Sequence, residues 1–422
     1  MVTDAAALPT NPGRPGTAGV VFVATAIQTL GAVVATSLAV FAPVLVADLA
    51  IGPAEIGLLV GAMNVGALPG LVLGPAIVDR FGAGRALSGS AVVSALALAV
   101  TVVVPGFAAL LVGVTVAGAA WGLAALSGGG AIIDRAPFER RGILISIRQL
   151  SLPLGGAIAG ALAGFVAVVG YRAMFGLQAV AFLALAALAL RWPMEMSIRT
   201  SSPWRAEPPV RAIRLGVLSV AMTVGQWAFI VYLTIELTDR LGLPFELAAI
   251  VFLASQLAGC VGRVGLGLVS DRLGYPRTPL LAVSTAASAV LVLAFGLTGP
   301  TTPTWLVAAI ALAAATFVIG WNGVFIVALA EAGRLRHVNM NLGTGLTMMR
   351  IGNIVAPPLF GILLALIVPA AAWAVVAGIL GLAALGFVLV GPGPVQPELP
   401  ELVDPVTTAE RTRASDIAPQ GG

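Results

Sequence analysis

The chain has 422 residues, of which 59% are hydrophobic and 9% are charged, and its formal net charge is +4. Soluble globular proteins carry about a quarter charged residues. This composition excludes an ordinary soluble protein and indicates a polytopic membrane protein.

Apolar segments long enough to cross a membrane follow one another along the whole chain. A helix needs about 20 apolar residues to cross the hydrocarbon core, whereas barrel strands alternate over about 10 residues. The runs here are apolar at nearly every position, so the sequence predicts an all-α membrane protein with twelve transmembrane helices. The predicted spans are 18–46, 53–78, 85–104, 107–133, 142–168, 171–192, 213–239, 244–270, 277–298, 303–331, 342–367 and 369–391.

A short polar motif occurs twice, after the second and after the eighth span. The copies read Asp79-Arg80-Phe81-Gly82 and Asp271-Arg272-Leu273-Gly274, nearly half the chain apart. Such a repeat predicts two pseudo-symmetric six-helix halves that move about a central site. The predicted boundaries are a tail (1–17), an N-terminal half (18–192), a linker (193–212), a C-terminal half (213–391) and a disordered tail (392–422).

The basic residues, all of them arginine, predict the orientation in the membrane. With a cytoplasmic N-terminus, most arginines in loops and tails fall on the cytoplasmic side, and only Arg172 and Arg240 fall on the other. The positive-inside bias therefore places both termini in the cytoplasm, for a protein of the inner membrane. The positive charge is explained by contact with anionic lipid, and no nucleic-acid partner is expected.

The two motif copies resemble the loop motif G-x-x-x-D-R-x-G-R-[KR] of the major facilitator superfamily. Gly267 to Gly274 fits it well, whereas the first copy has Gly74 displaced by one position and Pro75 in its place. The resemblance covers about residues 15–392. It implies a cytoplasmic latch between the halves, in which a carboxylate at one helix end faces the N-terminus of another helix.

The resemblance assigns this gating role to six residues: Asp79, Arg80, Asp134, Asp271, Arg272 and Glu331. For Asp134, at the end of the fourth span, we expect Arg80 or Arg141 as partner. For Glu331, at the end of the tenth, we expect Arg272 or Arg336. The alternative is that these residues are ordinary solvated loop charges.

Three arginines lie within predicted spans: Arg148, Arg263 and Arg350. Charges at membrane depth are costly and usually functional, and a guanidinium binds a carboxylate or phosphate through two parallel hydrogen bonds. Arg148 and Arg350 occupy matching spans, so a gate role facing Asp271 and Asp79, respectively, is the alternative to substrate binding. Arg263 has an apolar counterpart and is the stronger candidate for binding an anion.

In the family, helices one, four, seven and ten line the cavity. The resemblance therefore adds Gln28, Trp121, Gln226, Trp227, Trp321 and Asn322 to the candidate substrate site, with packing as the alternative role of the tryptophans. Asn64 and Gln256, at equivalent positions, are expected to bond helices together. The residues around Arg148 and Gly262-Arg263 resemble the cyanate-transporter-like and monocarboxylate-transporter-like branches.

We therefore expect a monomeric secondary transporter of a small, carboxylate-like organic anion, working by alternating access. Proton-coupled efflux of amphipathic drugs is one alternative, although 107–133 lacks the charged residue that many such antiporters carry. A membrane sensor that does not transport is another. Glu236, near the outer end of its span, is not deep enough for a central proton carrier. No enzyme activity, cofactor or metal site is expected.

Overall fold

The computed structural model describes residues 17–135, 144, 148, 150–191, 210–272, 274, 276–332 and 338–392, without the side chains of 133, 134 and 338–340. Within this part the chain is helical and no strand is present. The helices are α1 (Thr17–Val40), α2 (Ala42–Leu49), α3 (Pro53–Phe81), α4 (Ala83–Val103), α5 (Phe107–Arg135), α6 (Ser151–Ala189), α7 (Val210–Ile235), α8 (Phe245–Arg272), α9 (Arg277–Gly296), α10 (Thr304–Val318), α11 (Asn322–Ala330), α12 (Val338–Leu366) and α13 (Pro369–Val390).

These helices make twelve membrane crossings in two halves of six. Eleven described segments are long and apolar enough to span a membrane, and the 39-residue α6 is one of them. A straight helix of that length would measure about 58 Å, roughly twice the hydrocarbon core. Gly170 divides it into two crossings, because its backbone adopts φ 78° and ψ 158°. Glycine tolerates this conformation because it lacks a Cβ.

Three crossings are less regular than the sequence predicts. The first is interrupted at Phe41, between α1 and α2, and the tenth at 319–321, between α10 and α11. The seventh ends in a π-helical turn, Glu236–Arg240. Helix α7 begins at Val210, so the last three residues of the predicted linker are helical. The predicted tail 1–17 except Thr17, the rest of the linker and residues 393–422 lie outside the described residues.

The bundle has two distinguishable ends. We call the end that carries Asp79 and Asp271 the motif end, and the opposite one the far end. Helix α3 begins with Pro53 at the far end, where the Gly52 N–H donates to the carboxylate of Glu55 at 3.0 Å. This bond satisfies one of the free donors at the helix N-terminus.

In the described part of the chain, side-chain hydrogen bonds join the two halves in the far part of the bundle and at its middle. Thr234 Oγ1 donates to the backbone oxygen of Ala39 at 2.6 Å, and the Tyr232 hydroxyl lies 3.0 Å from the oxygen of Pro53. Glycine permits the closest approach, since a Cβ on Gly57 would stand 2.3 Å from the oxygen of Pro357. In the described part, the halves are therefore closed against each other toward the far end.

An aromatic cluster consolidates the far part of the C-terminal half. Its rings meet edge to face or tilted, at centroid distances of 4.7–6.5 Å. Its members are Phe229, Tyr232, Phe295, Phe360 and Trp373. Such pairs add to the stability gained from burial alone. The apolar side chains exposed on the outside, such as Val72 and Leu389, suit a surface that faces lipid.

Candidate functional site

Arg148 is half-buried and reaches both α1 and α5. Its Nη2 donates to the backbone oxygen of Ala125 at 2.6 Å and lies 3.4 Å from Oε1 of Gln28. Gly129 permits this approach, because a Cβ there would stand 3.1 Å from Nη1. The buried Nε of Arg148 has no hydrogen-bond partner in the described part of the chain. Neutral oxygens hold this cation, and one of its donors is unused.

The packing of α6 on α8, across the two halves, brings Arg263 to the level of Arg148. Two antiparallel contacts define the register, Gly156 with Gln256 and Gly160 with Leu253. Continued toward the motif end, this register sets Arg263 opposite Leu150, two residues after Arg148. Arg263 is half-buried, and its Cγ faces Gly323 beside the break in the tenth crossing. Two cations from opposite halves therefore share one layer.

Arg350 takes a different position from its pseudo-equivalent Arg148. Its Nη1 lies 3.4 Å from Oδ1 of Asn64, in the other half. The Asn64 Nδ2 donates to the backbone oxygen of Val60 at 3.0 Å, so its Oδ1 is the atom turned to Arg350. This supports the expectation that Asn64 bonds helices together. Arg350 bridges the halves, whereas Arg148 bonds within its own half.

Gln226 forms a buried cluster with the tenth crossing. Its Oε1 accepts from Trp321 Nε1 at 3.0 Å and from Asn322 Nδ2 at 2.9 Å. Trp227 donates through Nε1 to Oδ1 of Asn353 at 2.8 Å. The two indoles are 2% exposed or less. In this conformation they pack inside the C-terminal half, in line with the packing alternative, and do not present a face to an open cavity.

Trp121 differs from these two because it is only half-buried. Its Nε1 donates to the backbone oxygen of Gln28 at 3.2 Å. Its ring lies against Gly31, where a Cβ would stand 2.2 Å from Cδ1. Trp121 and Gln28 therefore lie beside Arg148, with Trp121 as the aromatic group and Gln28 as the polar one.

Sequence reasoning missed two polar residues here. Asn353, the partner of Trp227, lies one helical turn beyond Arg350. Thr25 lies one turn before Gln28, and its buried hydroxyl has no partner within the described residues. Each stands three positions from a residue singled out by sequence, and that spacing on one helix face is the signal that could have found it.

In this conformation two of the gating residues contact an arginine that the sequence did not single out. Glu331 lies 3.4 Å from Arg277 rather than near Arg272, and Asp271 lies 3.2 Å from the same Arg277. The predicted pairing of Asp271 with Arg148 is not formed in this conformation. Arg350 contacts Asn64, which is 15 residues, or about 22 Å of helix, before Asp79, so the pairing of Arg350 with Asp79 is also absent.

The other gating candidates stay untested as latch residues. Arg80 stacks on Phe81, with its guanidinium carbon 5.3 Å from the ring centroid, and Asp79 and Arg272 are exposed. The side chain of Asp134 and residues 141 and 336 lie outside the described part. Within that part, no group of three His, Cys, Asp or Glu residues is placed to hold a metal ion.

Comparison with known proteins gives relatives that are transporters and not enzymes. The 3-(3-hydroxy-phenyl)propionate transporter of Escherichia coli is 28% identical over 57% of this chain and 61% of its own length. The hexuronate transporter of Bacillus subtilis is 26% identical over 61% of this chain and 65% of its own length. The chain thus matches less than two thirds of the length of these curated relatives.

The fold also matches solved structures. The xylose transporter XylE from E. coli, in an inward open conformation, superposes with a TM-score of 0.73 at 17% identity, over 90% of this chain and 97% of the other. The family model of the Major Facilitator Superfamily matches residues 21–340. With its integral, multi-pass helical architecture in two halves, the chain belongs to the Major Facilitator Superfamily.

Proposed function

We propose that the chain is a secondary transporter that moves a small organic anion across the membrane by alternating access. The observation that carries this proposal is the layer formed by Arg148 and Arg263, one from each half. An anion bound between them would hold the halves together through its own charge. Binding that depends on both halves is the requirement for coupling substrate to their movement.

The chemistry of the layer favours a carboxylate. No ion pair joins Arg148 or Arg350 to a carboxylate of the described residues, and the partners of both are neutral oxygens. A partly dehydrated guanidinium gains most from a ligand that brings negative charge and two parallel acceptors. The names of two relatives point to the same chemistry, since hydroxyphenylpropionate and hexuronate are carboxylates.

The proposed cycle uses the two halves, 18–192 and 213–391, as the moving bodies. With the far end closed, this conformation would be the state of the cycle that opens toward the motif end. Closure at the motif end would then bring Asp79, Arg80, Asp134, Asp271, Arg272 and Glu331 into the latch. The arginine bias supports a cytoplasmic motif end in the inner membrane. A monomer with lipid around it suffices for this cycle.

Thermal unfolding of the detergent-purified protein tests the binding site. The ligands are small carboxylates, inorganic anions and lipophilic cations, measured on the native protein, on Arg263→Gln and on the matched control Arg214→Ala, an exposed arginine of α7. A ligand that binds only the folded state raises the unfolding midpoint by mass action. We expect carboxylates to stabilise the native protein and the control, and to bind Arg263→Gln roughly tenfold or more weakly.

Two outcomes would contradict the proposal. Stabilisation by lipophilic cations that does not depend on Arg263 would favour drug efflux. Carboxylate binding without flux of the labelled carboxylate into proteoliposomes would favour a sensor that does not transport.

A further inference from the structure

Gln256 is a buried amide at the contact between the two halves. It lies on α8, is 1% exposed, and its side chain covers Gly156 of the opposite half. A Cβ on Gly156 would stand 2.6 Å from Oε1 and 2.7 Å from Cδ of Gln256. The Leu253 contact with Gly160 lies one turn closer to the far end. Gln256 therefore lies near the middle of α8, on the far-end side of the arginine layer.

The Nε2 of Gln256 has no hydrogen-bond partner in the described part of the chain. A buried donor without a partner costs free energy, and buried polar groups in folded proteins are nearly always satisfied. Asn64, at the equivalent position of the other half, shows the contrast. Its Nδ2 donates to Val60 and its Oδ1 faces Arg350. Of these two equivalent amides, Gln256 has the unused donor.

The position of this donor relative to the arginines suggests what it binds. Gln256 precedes Arg263 by seven residues, so both lie on one face of α8, about 10 Å apart along its axis. The distance between the guanidinium of Arg263 and the amide of Gln256 is shorter than this axial separation when the arginine side chain extends toward its ligand. A compact organic anion could span this distance, with its carboxylate in the arginine layer and its other end toward Gln256. An inorganic anion would not reach both.

We propose that Gln256 determines specificity by donating to a second oxygen of the transported anion. The substrate class is then a carboxylate that carries a hydroxyl, a carbonyl or a second carboxylate several atoms from the first. This inference rests on the proposed function, because it takes the arginine layer as the site of the carboxylate. The donor on Gln256 selects the acceptor-bearing ligand, since an analogue without that oxygen leaves Nε2 buried and unpaired.

Matched ligand pairs test the inference. Hexanoate is compared with 6-hydroxyhexanoate and adipate, and phenylacetate with 4-hydroxyphenylacetate, by thermal unfolding and by isothermal titration of the full-length protein. We expect the oxygen-bearing member of at least one pair to bind roughly tenfold more tightly to the native protein.

The variant Gln256→Leu removes the amide at similar size, and its expected effect is loss of this preference without loss of carboxylate binding. Gln178→Leu is the matched control, because Gln178 is equally buried but donates to Ser37 at 3.0 Å within the N-terminal half. It should keep the preference. If Gln256→Leu does not fold, Gln256→Asn replaces it. Its shorter side chain keeps an amide but withdraws the donor from the ligand, so the preference should weaken while carboxylate binding remains.

The outcomes separate this inference from the proposed function. If carboxylates bind through Arg263 but show no preference within any pair, or a preference that survives in Gln256→Leu, the role of Gln256 is wrong and the anion site stands. If no carboxylate of the panel binds, both are wrong.

Discussion

At the scale of single residues, glycine sets the geometry of the candidate site. Gly31 allows the Trp121 ring to lie against α1, and Gly129 allows the Arg148 guanidinium to reach the backbone of α5. A methyl group on Gly31 would overlap the Trp121 ring, and one on Gly129 would crowd the guanidinium at 3.1 Å. The positions of Trp121 and Arg148 therefore depend on glycine, which has no Cβ, at residues 31 and 129.

The variant Gly31→Ala tests this dependence. Its Cβ would stand 2.2 Å from Cδ1 of Trp121, so the ring must move and its bond to Gln28 is lost. We expect destabilisation of about 1–3 kcal/mol and weaker stabilisation by the bound carboxylate. The measurement is the thermal unfolding midpoint with and without ligand. Gly89→Ala, where a Cβ meets nothing within 4 Å, is the control, and equal behaviour of the two variants would contradict the argument.

At the scale of elements, the π-helical turn ends α7 with a buried ion pair. Glu236 is 3% exposed and is the only charged residue among the described ones that is fully buried. Arg240 pairs with it, and Trp373 of α13 donates to its Oε2 at 3.0 Å. Arg240 also donates to the backbone oxygen of Thr298, at the end of α9. The turn thereby ties three crossings of the C-terminal half together at the far end.

Removing Arg240 should therefore destabilise the fold more than removing an exposed arginine. Arg240→Ala leaves the Glu236 carboxylate buried without its counter-charge, a change that costs about 3 kcal/mol. Arg214→Ala, on the exposed side of the same helix, should cost less than about 0.5 kcal/mol. The unfolding midpoint in detergent measures both.

The double variant Glu236→Gln with Arg240→Ala is the internal check on this explanation. It carries no buried charge, so it should recover part of the lost stability. A double variant less stable than Arg240→Ala alone would show that the ion pair is not the reason for the loss.

At the scale of the whole molecule, the two halves meet where glycine allows backbones to touch. Gly57 of α3 packs on Pro357 of α12 and on the Tyr232 hydroxyl, and Gly61 packs on Ile354. Small residues at such contacts permit the close helix packing that membrane proteins use in place of hydrophobic burial. Closure of the far end requires this fit.

Gly57→Leu should hold the far end open. Its side chain would enter the space of Pro357 and Tyr232, so the closed state loses stability relative to the open one. Spin labels at Ala47 and Phe245, which line the two sides of a 440 Å³ far-end groove, report the separation in a Cys260→Ser background. We expect longer distances for Gly57→Leu and none of this change for Gly164→Leu, whose position is open. Unchanged distances in Gly57→Leu would refute the steric argument.

The sequence predicted the twelve crossings and the two halves because these follow from local chemistry. Apolar length fixes where a helix can cross, and the repeated Asp-Arg motif marks equivalent places in two halves. It did not predict the interruption at 319–321 or the conformation of Gly170, since many Gly-rich stretches here remain helical. It also did not single out Arg277, which contacts both Asp271 and Glu331 in this conformation.

The sequence by itself determined a helical membrane protein of the Major Facilitator type, with three arginines at membrane depth. Only the tertiary structure decided their partners. Arg148 and Arg350 occupy matching spans, yet one bonds within its half and the other bridges to Asn64, because side-chain direction depends on the packing register of neighbouring helices. That register is set by contacts between residues distant in the chain, such as Gly156 with Gln256. Such contacts leave no periodic signal in either segment alone.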